Sequence, residues 1–315
     1  MKPTLVGIAG HAFRSTPDCY TSRPMGQIRT IKKRMVAVRT IQRITKTMQM
    51  IATARFTAAL QRAKATRPYT DRIRELSAEL AAAAGEFTHP LMRPEPAGPK
   101  REVYLVISSD RGLCGAYNGN VLKTALASIR RSNTAGNTVR LETAGRKASL
   151  FFKFAKLEVA SKHQIGDKPS YEAVNKLAAD YMREFIAGEC DAVRVVYMRF
   201  VSNSRQVPEV MTLLPLQPPA ADESASAADQ QVYEFSPDAA TLLESLLPKT
   251  VSVSLFQAFN DAVVSEQVMR MVAMKAATDN AAGLGRMLKR DFNRARQTKI
   301  TTELTEIVGG AAALE

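Results

Sequence analysis

The chain has no Trp, only three His and only three Cys in 315 residues, and each scarcity removes a class of function. His11, His89 and His163 leave little material for an H-E-x-x-H zinc site, haem ligation or a nucleophile–base triad. Cys19, Cys114 and Cys190 are odd in number, far apart and outside any metal-ligand spacing. Neither a disulfide scaffold nor a zinc module is expected, and a reducing compartment is the simpler setting. No stretch approaches about 18 uncharged apolar residues, so no membrane-spanning helix is expected. An apolar fraction of 45% is ordinary, which excludes wholesale disorder and permits a sizeable core.

Acidic residues are scarce in one place only. Residues 1–75 hold 16 Lys/Arg against Asp18, Asp71 and Glu75, a net +13 of the chain's +14. Such a segment carries a cost in self-repulsion, which favours an anionic partner: nucleic acid, an acidic membrane surface or acidic protein loops.

Residues 1–24 (MKPTLVGIAGHAFRSTPDCYTSRP) differ in pattern from the rest of the chain and read as a disordered extension, with too short an apolar run for a secretory signal. From Gly26 to about Ala84 there is no further Gly and no Pro except Pro68. A helix of roughly sixty residues extends about 90 Å, so most of it cannot pack on its own chain's globular part. Its apolar stripe runs Ile28, Ile31, Met35, Val38, Ile41, Ile44, Met48, Ile51, Ala54, Ala58, with a stammer from Met35 to Ile44. Arg29, Lys32, Lys33, Arg34, Arg39, Arg43 and Lys46 take the opposite face. Pro68 is expected to bend or break this helix.

After a Pro-rich linker at 88–100 the period changes. Strands are expected at Val103–Ser108, Thr138–Thr143, near Val159, and at Ala192–Val201, Val207–Leu214 and Val232–Phe235. Helices are expected at Gly119–Arg131, Lys147–Lys156 and Tyr171–Ala187. This alternation predicts a small three-layer α/β body of Rossmann-like type, with PPAADESASAADQQ as an exposed low-complexity connection. Pro248 is expected to break the helix that begins after Pro237. From Lys249 to about Leu314 a second helix of roughly sixty residues carries a stripe of Val251, Leu255, Ala258, Ala262, Met269, Val272, Ala276, Leu284, Leu288 and Ala295. Gly283 and Gly285 weaken it by roughly 1 kcal/mol each, so a partner must hold it there. The predicted architecture is a long antiparallel two-helix coiled coil of residues 25–87 and 237–315, projecting from an α/β body at 88–236.

The glycine-rich turn Ser108–Gly119 lies between strand and helix, but it is neither G-x-G-x-x-G nor a P-loop and has no following Lys. A tight turn with positive-φ glycines is favoured over phosphate binding. Cys114 within it is either a small buried residue or a redox sensor. Asn293–Glu303 packs charge and hydroxyls onto a helix, either as an ordinary polar face or as a hydrogen-bonding patch for a partner loop. Between Met25 and Pro68 the only aromatic is Phe56, which counts against a stacking nucleic-acid surface. A basic coiled-coil nucleic-acid-binding protein nevertheless stands as the alternative from another class.

Three blocks together resemble the gamma subunit of F-type ATP synthases: MGQIRTIKKRMVAVRTIQRITKTMQMIATARF, SSDRGLCGAYN and MVAMKAATDNAAGLGRMLKRDFNRARQTKITTELTEIVGGAAAL. The resemblance covers Met25 to Leu314. It implies a non-catalytic rotor shaft, coupling proton flow to ATP synthesis, with no cofactor of its own and no catalytic or metal-binding residue. It implies as partners the alpha and beta subunits of the hexameric head, the epsilon subunit and the membrane c-ring, with no nucleic acid and no direct membrane insertion. By motif, Arg43, Lys46 and Met48 match the segment facing the beta-subunit levers. Arg296, Gln297, Thr301 and Glu303 match residues that hydrogen-bond a catch loop of the hexamer. The cysteine-bearing regulatory insertion of the chloroplast branch is lacking, and PPAADESASAADQQ stands in its place. The implied location is peripheral, on the cytoplasmic face of a bacterial inner membrane or the matrix face of the mitochondrial one.

Overall fold

A computed structural model describes residues 24–84, 89–96, 98–216 and 239–313. The extension at 1–23, the expected strand at Val232–Phe235 and the PPAADESASAADQQ connection lie outside the described residues. Contacts divide the chain into two compact units, Met1–Gln42 with Asn280–Glu315, and Arg43–Asp279.

The second unit contains the sheet. Its five strands are β1 (Arg101–Ile107), β2 (Thr138–Ala144), β3 (Ser161–His163), β4 (Ala192–Phe200) and β5 (Gln206–Leu214). They are arranged β3-β2-β1-β4-β5, with every pair parallel except the antiparallel β4–β5 edge. The connecting helices are α2 (Tyr117–Thr134), α3 (Arg146–Phe154) and α4 (Tyr171–Ile186). From β1 to β3 the chain steps one way along the sheet, and from β3 to β4 it steps back. Because parallel crossovers keep one hand, that reversal puts α4 on the face opposite α2 and α3. Both faces of β1 are therefore covered, which is why VYLVI reads as a continuous apolar run. Val103, Leu105 and Ile107 pack with Val174, Ala178, Tyr181 and Phe185 of α4. Tyr104 and Val106 pack with Val121, Ala125, Ile129 and Phe152 on the other side.

Two long helices complete the fold, α1 (Pro24–Ala84) and α5 (Ala239–Ala312). Neither Pro68 nor Pro248 ends its helix. The local cost is about 3 kcal/mol, but Thr70 and Ile73 after Pro68, and Leu247 and Val251 around Pro248, are buried, and burial of those faces outweighs it. In the second unit the helices run antiparallel, with contacts at Thr45–Thr278, Thr66–Gln257 and Ser77–Thr250 and a cluster joining Phe56, Ala59 and Ala63 to Val264 and Val268. From 251 to 270 most of α5 is buried, because α1 covers one side and the sheet core (Val251, Leu255, Ala258, Phe259, Ala262) the other. In the first unit Val38 packs with Ala281 and Leu288, flanked by Ile31 and Met35.

The seam differs from the expected stripe. Along α1 one row of shielded positions runs Ile28, Ile31, Met35, Val38, Gln42, Thr45, Gln49, Ala52, Phe56, Ala59, Ala63, Thr66, Thr70, Ile73, Ser77 and Leu80, with Met48, Leu60 and Leu76 half-buried beside it. Steps of three and four alternate throughout, an unbroken heptad with no stammer. Ile41, Ile44 and Ile51 are about half exposed, at 51%, 52% and 49%. Thr45 takes a seam position because its hydroxyl meets the Thr278 hydroxyl at 2.9 Å, and Ala52, 1% exposed, is a seam position with a small side chain. On α5 the stripe holds at Val251, Leu255, Ala258, Ala262 and Leu288 but fails at Val272, Ala276 and Leu284, which are exposed. Gly285 sits opposite Val38, whose Cγ1 a β-carbon at 285 would meet at 3.9 Å.

Candidate interaction surface

Because the seam consumes one face of α1, the cationic face is left outside. Arg29, Lys32, Lys33, Arg34, Arg39, Arg43 and Lys46 are all exposed. Among the described residues none has a carboxylate within 4.0 Å. Met48 is half-buried, beside the seam position Gln49. Thr47, next to Lys46, turns its hydroxyl onto the Arg43 carbonyl at 3.0 Å. Exposed Ile41, Ile44, Met50 and Ile51 lie among these charges along the helix. The outer surface of α1 is thus both cationic and apolar, a composition suited to a protein partner rather than to a phosphate backbone.

On α5 the four residues Arg296, Gln297, Thr301 and Glu303 are exposed within two turns of one helix, in the first unit. Thr301 donates its hydroxyl to the Gln297 carbonyl at 3.0 Å. Glu303 pairs with Lys299 at 3.3 Å, one turn back. Arg43, Lys46 and Met48 belong to the second unit.

The Ser108–Gly119 turn has a different role from a phosphate cradle. Left-handed backbone occurs at Leu113 (φ 64°) and Gly115 (φ 59°), and a β-carbon at 115 would touch Ala273 at 3.5 Å. Cys114 is buried and packs with Tyr117 and Val121. The turn offers carbonyls: Arg270 of α5 donates to Arg111 O at 3.2 Å and to Gly112 O at 3.4 Å. Arg270 is buried and paired with Glu266 at 2.6 Å. Burial raises the Glu266 carboxyl above its ordinary range despite the Arg270 charge. Burial raises the Tyr117 phenol well above its own, with Glu266 adding to the effect. The sequence clue was the Glu-to-Arg spacing of four in AVVSEQVMR, which holds no other charged residue.

A second buried polar group ties the sheet edge to α4. Glu142 of β2 accepts from the Tyr181 hydroxyl at 2.8 Å and lies 2.8 Å from His163 Nε2 of β3. Burial alone would raise the Glu142 carboxyl, but those two hydrogen bonds and the Arg140 charge hold it below its ordinary range. Among the described residues no group of three or more His, Cys, Asp or Glu could hold a metal ion. No described helix is long and apolar enough to cross a membrane.

Comparison with known proteins places this geometry. Residues 27–314 match the ATP synthase family. Over 92% of the chain it is 41% identical to the whole ATP synthase gamma chain of Rhodopirellula baltica, and 38% identical to the whole gamma chain of Leptospira biflexa. Among solved structures it resembles a chain of the Euglena gracilis mitochondrial ATP synthase (OSCP/F1/c-ring), with TM-score 0.62, 18% identity, and coverage of 92% of this chain and 95% of that one. It also resembles a chain from the central stalk/c-ring of the Tetrahymena thermophila enzyme, with TM-score 0.53, 18% identity, and coverage of 74% and 99%.

Proposed function

The chain belongs to the ATP synthase gamma-chain family, and from that premise we propose how its surfaces meet their partners. It is the central rotor of an F-type ATP synthase and a non-catalytic subunit of that complex. Residues 25–87 and 237–315 form the shaft and 88–236 the body. The shaft enters the hexamer of alpha and beta subunits. Arg43, Lys46 and Met48 meet the acidic lever loops of the beta subunits, and Arg296, Gln297, Thr301 and Glu303 hydrogen-bond a loop of the hexamer. The body meets the epsilon subunit and the c-ring, at the cytoplasmic face of a bacterial inner membrane.

The observation that carries this reading is the cationic row of α1, exposed and without intrachain carboxylate partners among the described residues. Exposed ion pairs are worth about 0–1 kcal/mol each, so such contacts bias without locking. A shaft with one such face favours a different conformation at each of the sites around it, which is coupling by differential contact. Reconstitution tests this. The ATPase of an alpha–beta hexamer should depend on the full chain, and Arg43→Glu with Lys46→Glu should weaken that dependence. A hexamer indifferent to the chain would overturn the proposal.

A further inference from the structure

Where α1 and α5 pass the carboxyl ends of β1, β2 and β3, a cleft of about 790 Å³ opens. It belongs wholly to the Arg43–Asp279 unit. Arg55, Arg62, Arg111, Arg146 and Lys168 line it, with Asp110 and Asp167 as the only carboxylates. Both carboxylates are engaged. Asp167 is bound to Arg55 at 2.7 Å, and Asp110 Oδ1 accepts from the Arg146 backbone N–H at 3.0 Å, closing the start of α3. Among the described residues the Arg62, Arg111, Arg146 and Lys168 side chains have no carboxylate within 4.0 Å. Five cations against two carboxylates leave this one concavity with a net charge of +3.

A second observation is independent of charge. Gln267 also lines the cleft, is 1% exposed, and its Oε1 has no hydrogen-bond partner. A buried amide oxygen left unpaired is costly, so a donor supplied from the cleft is stabilising there. The helix N-terminus that borders the cleft, that of α3, is already occupied. The first three N–H groups of α3 go to Asp110 Oδ1, to Ser109 O at 3.1 Å and to Ser108 Oγ at 2.9 Å. Recognition here is by side chains, so it carries no glycine-loop signature in the sequence.

We propose that this cleft binds a small polyanion of the phosphate-ester class. Arg62, Arg111, Arg146 and Lys168 hold its phosphate oxygens, and Gln267 Oε1 accepts from a hydroxyl or amino group on the same molecule. The volume lies within the usual range for small-ligand sites, about 300–1,000 Å³. The walls come from five separate chain segments, which suits a compact ligand better than an extended peptide.

The test is calorimetry on the full chain, titrated separately with inorganic phosphate, pyrophosphate and ATP at fixed ionic strength. The expected result is saturable one-to-one binding of at least one of them, weakened at least tenfold by Arg62→Glu or Lys168→Glu. Both residues are exposed, so neither change should disturb the fold. Lys123→Glu, on α2 and outside the cleft lining, should leave binding intact. Gln267→Leu should weaken ATP more than pyrophosphate, because ATP offers the amide ribose hydroxyls and an adenine amino group that pyrophosphate lacks. No saturable binding of any probe would overturn the proposal. So would equal weakening by Lys123→Glu, which would mean a general ionic atmosphere. Tighter binding of a poly-glutamate peptide than of all three probes would assign the cleft to an acidic protein segment and overturn it as well.

Discussion

Glu266 and Arg270, one turn apart on α5, form a buried ion pair at 2.6 Å, and Arg270 spends its remaining reach on the Arg111 and Gly112 carbonyls. One guanidinium thus fastens the turn after β1 to the helix that becomes the shaft. Arg270→Met leaves Glu266 buried without its partner, a loss of about 3–5 kcal/mol. The pair Glu266→Gln with Arg270→Met should recover much of that. Denaturant unfolding of the three variants checks it, and equal stability of the single and double variants would contradict it.

Gly145 precedes α3 with φ 102°, and a β-carbon there would lie 2.2 Å from Ser108 O. Gly145→Ala combines backbone strain with a clash against main chain that cannot rotate away. The expected loss is at least about 2 kcal/mol, seen as a lowered Tm. Gly119, where a β-carbon meets nothing within 4 Å, is the control: Gly119→Ala inside α2 should be neutral or stabilising.

Burial pushes the Asp261 carboxyl up to about 6, against the opposing hydrogen bond from Gln257. The unfolded chain releases this proton near pH 3.8 and the folded chain near 6. Between those values the folded state holds more protons, so this group's contribution to stability falls as pH rises and is lost above about 6. The shift corresponds to about 3 kcal/mol. Asp261→Asn should therefore stabilise the chain at about pH 7 and flatten its stability between about pH 4 and 6, read from Tm against pH. Glu142, held low by His163 and Tyr181, works in the opposite sense. Its contribution is present above the ordinary carboxylate range and is lost on acidification, and Tyr181→Phe should weaken that acid dependence.

On the outer face of α1, Arg43→Ala with Lys46→Ala should leave the unfolding free energy of the chain unchanged within about 0.5 kcal/mol, since neither has a carboxylate partner of its own among the described residues. The same pair should weaken association with the alpha–beta hexamer, most at low salt, where exposed charges act furthest. Binding kinetics at two ionic strengths read this directly.

Much of the body was legible in the sequence. VYLVI announced a doubly covered parallel strand, and AVRVVYMRF a second. The seam was not, because counting apolar residues picks Ile41, Ile44 and Ile51, while the helices meet through Thr45, Gln49 and Ala52. Polar side chains that bond across the interface, and small ones that let it close, carry no hydropathy signal. Pro68 and Pro248 misled for a related reason: a local rule yields to packing on both sides. The cleft escaped because its cations come from four segments with no common spacing. Arg296 to Glu303 could be located by motif, yet the Lys299–Glu303 pair that restrains one of them needed helical geometry.

The unbroken seven-residue repeat on α1 has a mechanical meaning. Helices meeting every seven residues wind left-handed about each other, as the plies of a rope do. Torque applied in one sense tightens such a winding and in the other slackens it. The stretch of coil in each unit is therefore a spring whose stiffness depends on the direction of turning.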